Sequence, residues 1–165
     1  MKIFQIVTLS ELGGAQAVVA NLSNVLAKEH DVTVIAGEGD GKLFELLNAN
    51  IRHIKLNSLK RKISPLNEIR TIVSFLFLGR KYKPDIVHLH SSKAGILGRL
   101  VFPKNKIVYT VHGFDSIRLA YRKYLHIEKR LQNNCKAIVA VSHYDEKNLV
   151  AEGVVKNVKC IYNGI

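Results

Sequence analysis

Short β-branched runs separated by amphipathic stretches recur from one end of this sequence to the other. That alternation constrains the fold more than any other feature. Lys2–Thr8 (KIFQIVT), Asp31–Ala36 (DVTVIA), Ile51–Leu56, Asp85–His90 (DIVHLH), Lys106–Val111 (KIVYTV), Lys136–Val141 (KAIVAV) and Val158–Tyr162 (VKCIY) all read as strands. Between the first two, Ala15–Glu29 carries Val18, Val19, Leu22, Val25 and Leu26 at helical spacing. Lys42–Ala49 reads as a short helix, and Leu66–Tyr82 as a long one that stops at Lys83-Pro84, because the residue before proline resists the α conformation. Gly95–Phe102, Ser116–Asn133 and His143–Glu152 complete the helical segments. Val- and Ile-rich strands alternating with helices describe a parallel sheet covered on both faces. The expected fold is α/β, a doubly wound, Rossmann-like parallel sheet.

Length and charge narrow the reading further. With 165 residues and 47% hydrophobic content, the chain suits one domain with a single core. The balance of 25 Lys+Arg against 13 Asp+Glu favours polyanions, anionic lipid or phosphorylated ligands. Aromatic residues are only 7% of the chain, and Tyr109, Phe114, Tyr121 and Tyr124 form no evident stacking platform, so nucleic acid is not an expected partner. Cys135 and Cys160 lack CxxC spacing and read as reduced core thiols. The longest apolar stretch, around Ile72–Leu78, is too short to span a bilayer, and the first residues lack the pattern of a signal peptide. A cytoplasmic protein is expected.

In an open parallel sheet, ligands bind beyond the carboxyl ends of the strands. The loops there are Leu9–Gly14, Ser91–Ala94, His112–Ser116, Ser142–Lys147 and Asn163–Ile165. Gly13 and Gly14 open the first helix, where a phosphate could rest on bare backbone, although a glycine pair also suits a tight strand-to-helix turn. The sequence leaves both readings open. The dinucleotide fingerprint G-x-G-x-x-G is absent, since Ala15-Gln16-Ala17 follows, and Glu38 and Asp40 alone do not replace it. His112, before Gly113 at a strand end, is placed either to serve a ligand or to support the fold. His88 and His90 share one strand face, but no third ligand stands at metal-binding spacing.

The segments GGAQ, PDIVHLHSSKAG from Pro84, TVHGFD from Thr110, AIVAVSHYDEKNL from Ala137 and IYNGI from Ile161 together resemble, along the whole chain, the N-terminal half of a GT-B glycosyltransferase of the family 4 type. The resemblance implies a Rossmann-like domain over residues 1–162, with 163–165 starting the linker to a C-terminal, donor-holding domain. It implies retaining transfer from a nucleotide sugar without metal or other cofactor, in polysaccharide or glycolipid biosynthesis. His112 corresponds to the histidine near the reacting sugar, and Gly13, Gly14, Gln16, His90, Ser91, Ser142 and Asn163 are the expected substrate-binding positions. Gln16 stands where many relatives carry a carboxylate, which puts an acceptor contact needing negative charge there in doubt. The expected partners are the nucleotide-sugar donor, a glycan or lipid-linked acceptor, and an anionic membrane surface met by Lys60, Arg61 and Lys62 at the inner face of the membrane. The alternatives are a stand-alone nucleotide-binding Rossmann domain and, more remotely, a basic nucleic-acid module.

Overall fold

The computed structural model describes residues 1–163; residues 164 and 165, the rest of the expected linker, lie outside it. The chain runs β1 (Lys2–Leu9), α1 (Gly14–Leu26), β2 (Asp31–Glu38), α2 (Lys42–Glu45), β3 (Arg52–Lys55), α3 (Pro65–Tyr82), β4 (Ile86–His90), α4 (Ser92–Val101), β5 (Ile107–Val111), α5 (Leu125–Leu131), β6 (Ala137–Ala140), α6 (His143–Ala151) and β7 (Val158–Cys160). The strands form one 7-stranded sheet in the order β3-β2-β1-β4-β5-β6-β7. All its pairings are parallel, as the alternation of strand and helix requires. Strand order reverses direction between β1 and β4, so the carboxyl ends of these two strands flank the crevice that such sheets use for ligands.

Side chains alternate across each strand and build a separate core on each face. On one face Ile3, Val7, Val32, Val34 and Ala36 meet Val19 and Ala20 of α1 and Leu43 of α2. On the other, Phe4, Ile6, Val87, Leu89, Ile107 and Ile138 meet residues of α3 to α6, among them Phe75, Leu97, Leu125 and Leu149. Helix α4 lies so close to the sheet that a Cβ on Gly95 would come 2.4 Å from the Tyr109 ring, and one on Gly98 2.5 Å from Leu89. Arg99 of α4 and Glu128 of α5 form an ion pair at 2.6 Å with both side chains buried, and the guanidinium lies over the Tyr109 ring. Burial pushes the Glu128 carboxyl up against the opposing pull of Arg99.

Several boundaries differ from the sequence reading. The expected helix Ser116–Asn133 is broken into a wide turn at Ser116–Ala120, a 3-10 turn at Arg122–Tyr124 and the short α5. The break falls at Tyr121 (φ −127°, ψ 43°), with no proline or glycine to signal it. Tertiary contacts hold its two sides instead: Arg118, paired locally with Asp115, reaches Tyr144, and Arg122 reaches Glu152. Helix α2 is one turn long, α4 begins at Ser92, three residues ahead of the expected Gly95, with Ser91 as its N-cap, and β7 ends at Cys160. Cys135 is buried as expected, whereas Cys160 is only half-buried on the edge strand. No described helix is long and apolar enough to cross a membrane.

Candidate functional site

The first loop settles half of the question raised by the glycine pair. Gly13 is extended (φ −170°, ψ 175°), and neither Gly13 nor Gly14 takes a positive φ, so the turn itself does not require glycine. Space separates the two. A Cβ on Gly13 would meet the Gln16 amide oxygen at 2.8 Å, while one on Gly14 would meet nothing within 4 Å. Gly13 supplies no side-chain cap, and the first helical bond runs from the Ala17 N–H to the Gly13 carbonyl. The amides of the first turn of α1 therefore face outward beside open space, as an anion-binding helix N-terminus would present them. Gln16 is buried and donates to the Leu9 carbonyl at 3.3 Å. The loop is fixed to β2: the Ser10 N–H donates to the Glu38 carbonyl, and Ser10 Oγ to the Gly37 carbonyl. Glu38 and Asp40 are used locally, accepting from the Arg61 and Lys42 amides.

Across the crevice, Ser91 caps α4 at φ 74°, a conformation costly for a residue with a side chain. Its Oγ is 2.6 Å from Thr8 Oγ1 and accepts from the Thr8 N–H, tying the carboxyl ends of β1 and β4 together. His112 follows β5 and is half-buried, and Gly113 turns the chain behind it at φ 78°. Burial lowers the His112 pKa, with the charge of Asp145 pulling the other way. His90, expected to bind substrate, requires correction. It is fully buried, with Nε2 2.7 Å from Gln5 Oε1 and Nδ1 3.0 Å from His112 Nε2, so it stands behind His112 rather than at the surface. His88 beside it bonds Thr110 Oγ1 at 2.7 Å. Burial, aided by neighbouring histidines, drives the pKa of His88 down to about 4 and that of His90 well below its ordinary value.

Ser142 caps α6 by accepting the Asp145 N–H and donating to Asp145 Oδ2. Asp145, buried and not anticipated from the sequence, accepts the Phe114 N–H at 2.8 Å and so braces the loop that carries His112. Its signal was the spacing Ser142-x-x-Asp145, that of a capping box. Asn163 is exposed past β7 at the sheet edge, apart from the β1/β4 crevice. The donor atoms of His143, Glu146 and Cys160 lie within 4.8 Å of one another, and His143 Nδ1 is 2.9 Å from Glu146 Oε2, so the first two already pair with each other. Gly13, Gly14, Ser91, His112 and Ser142 thus share the carboxyl edge of the sheet, and Gln5 and Asp145 support them from within.

Lys60, Arg61 and Lys62 lie between β3 and α3, held by the Lys93 ammonium on the Lys62 carbonyl and by the Arg61 N–H on Glu38. Beside them α3 turns Leu66, Ile69, Val73 and Phe77 to solvent, each more than half exposed, with Arg70, Arg80 and Lys81 on the same side. A groove of about 660 Å³ runs between loop and helix, lined in part by Lys55, Lys60, Arg70, Ile69 and Val73.

A doubly wound sheet with an open glycine-backed helix end is the frame of many nucleotide- and sugar-nucleotide-binding proteins, and comparison with known proteins makes the assignment narrower. Residues 12–165 match the model of Glycosyltransferase Family 4, and the chain belongs to that family. It is 32% identical over 160 residues to the UDP-Gal:alpha-D-GlcNAc-diphosphoundecaprenol alpha-1,3-galactosyltransferase of Escherichia coli, covering 90% of this chain and 40% of that protein. It is 24% identical over 164 residues to the capsular polysaccharide biosynthesis glycosyltransferase CapM of Staphylococcus aureus, covering 96% of this chain and 42% of that one. Anabaena Alr3699/HepE, solved in complex with UDP and glucose, superposes with a TM-score of 0.75 at 19% identity, over 100% of this chain and 45% of its own, a likeness of fold. The chain thus spans less than half the length of these relatives.

Proposed function

We propose that this chain is the acceptor-side half of a retaining, nucleotide-sugar-dependent glycosyltransferase that builds a polysaccharide or glycolipid, working on a lipid-linked acceptor with a second domain holding most of the donor. The observation that carries the reading is the bare, uncapped helix end at Gly14, open to solvent at the switch point of the sheet. As the bond between the anomeric carbon and the diphosphate breaks, negative charge grows on the leaving diphosphate. Outward amides and the positive helix end suit that charge most when it is fullest. No metal is required of the residues on this edge, where the amides themselves supply the electrostatic stabilisation. His112 lies one loop away, where it would contact the transferred sugar.

The membrane part of the reading rests on the Lys60–Lys62 loop and the apolar outer stripe of α3. Cations interleaved with exposed Leu66, Ile69, Val73 and Phe77 suit the headgroup layer of an anionic bilayer, and the formal charge of +12 opposes self-association through that face. Such a surface would place the crevice at the inner face of the membrane, near a lipid-linked acceptor.

Sugar transfer from UDP-sugars to a diphospholipid acceptor tests the proposal. The longer enzyme containing this chain is expected to form product with retention, undiminished by chelator, and the 165-residue chain alone to form none, because its donor edge would be an open, solvated ledge. Transfer by the chain alone, inversion at the anomeric carbon, or loss of activity on chelation would contradict it.

A further inference from the structure

His112 is the outer end of a buried chain of polar groups, and the chain has a direction. Gln5 and His90 are both fully buried, and the Gln5 oxygen lies 2.7 Å from His90 Nε2. An amide oxygen only accepts, so His90 Nε2 carries the proton and, on a neutral ring, His90 Nδ1 is a lone pair. That lone pair lies 3.0 Å from His112 Nε2, which must then donate. The His88 and His90 ring centroids lie 4.0 Å apart with the rings tilted at 40°, too close for two charged rings, and burial depresses the pKa of both, which favours neutral imidazoles in this interior. His112 Nδ1 makes no hydrogen bond among the described residues.

We propose that Gln5 and His90 are positioning residues that fix His112 as its Nε2–H tautomer, so that the ring nitrogen left for a ligand is a bare acceptor that reads a hydroxyl. Neither contacts the ligand. His90 acts through His112, and Gln5 through His90. The arrangement selects a ligand offering an O–H at that point over one offering an ether or carbonyl oxygen, which would face a lone pair. Use of the acceptor on a sugar hydroxyl rests on the glycosyltransferase reading above; the tautomer does not.

Nitrogen NMR of the histidine rings of this chain at neutral pH separates the two. The expected result is a pyrrole-like Nε2 and a pyridine-like Nδ1 on His112, identified by their loss in His112→Gln, together with a nitrogen–nitrogen coupling across the hydrogen bond from His112 Nε2 to His90 Nδ1. Gln5→Met should move the His112 Nε2 shift from its pyrrole-like value towards the average of the two tautomers, because His90 is then free to exchange and the bond between the rings can reverse. If Gln5→Met does not fold, Gln5→Glu, which keeps an accepting oxygen, should retain the pyrrole-like His112 Nε2. A proton on His112 Nδ1 in the parent chain would mean that the Gln5 amide is reversed and would overturn the proposal, as would a His112 Nε2 that stays fully pyrrole-like in Gln5→Met. Loss of sugar transfer in the longer enzyme bears on the functional reading alone.

Discussion

Acidification should destabilise this domain through the histidines behind its crevice, and His88→Gln isolates one of them. Burial first, and the neighbouring His112 second, lower the His88 pKa from 6.5 to about 4. Above pH 6.5 the ring is neutral in both the folded and the unfolded chain, so it costs the fold nothing. As pH falls below 6.5 the unfolded chain takes up a proton that the folded one refuses, and stability declines until the folded ring titrates near pH 4. Between pH 7 and pH 5 the difference is about 2 kcal/mol for one such histidine. Urea unfolding at both pH values, for parent and variant, measures it: carboxylates contribute alike to both proteins and drop out of the comparison. The parent should lose about 2 kcal/mol more than His88→Gln on going to pH 5. Equal losses would show that His88 protonates within the fold, and the neutral interior invoked for the His112 tautomer would fall with it.

Other consequences can be checked as directly. In the longer enzyme, His112→Ala should lower kcat on the order of 10²-fold while changing donor KM less, and steady-state kinetics that find the reverse would make the residue a binding contact only. Glu128→Ala leaves the Arg99 guanidinium buried without its partner and should cost about 3–5 kcal/mol in chemical denaturation, whereas an ordinary exposed pair would cost under about 1. Liposome co-sedimentation should fall at high salt, and also when Lys60, Arg61 and Lys62 become Gln or when Val73 and Phe77 become Ser. Binding indifferent to lipid charge and to these changes would remove α3 and its loop from the membrane.

The sheet was legible in the sequence because buried parallel strands need continuous Val and Ile, and DVTVIA, DIVHLH and KIVYTV supply them between helix-forming stretches. The crevice was legible for the same reason: fixing strand order fixes which loops meet, and Gly13, Ser91 and His112 follow the carboxyl ends of β1, β4 and β5. The interior polar chain was not. Gln5 in KIFQIVT looks like a tolerated polar residue, and only the strand register, which places Gln5 beside His88 with His90 two residues on, reveals its partner. His90 read as a contact residue because its spacing gives a face but no depth. The break at Tyr121 escaped because its two sides are held by Arg118 on Tyr144 of α6 and Arg122 on Glu152 just past that helix, long-range contacts that leave no local punctuation. The outer stripe of α3 was not legible, since apolar and polar residues are mixed around this helix and only its docking on the sheet decides that Leu66, Ile69, Val73 and Phe77 face solvent.

The claim on which the rest depends is that Gly14 is glycine for the sake of an approaching donor. A Cβ there meets nothing within 4 Å, and the residue is not at positive φ, so Gly14→Val should leave the stability of the domain within about 1 kcal/mol of the parent. In the longer enzyme the same side chain would stand where the diphosphate must come closest, and turnover should fall by more than about 10²-fold. The decisive measurement is the kcat/KM for the nucleotide-sugar donor of the folded Gly14→Val enzyme. A collapse of that ratio at unchanged thermal stability is the predicted result; parental turnover would return the glycine pair to a plain turn and remove the donor from this edge of the sheet.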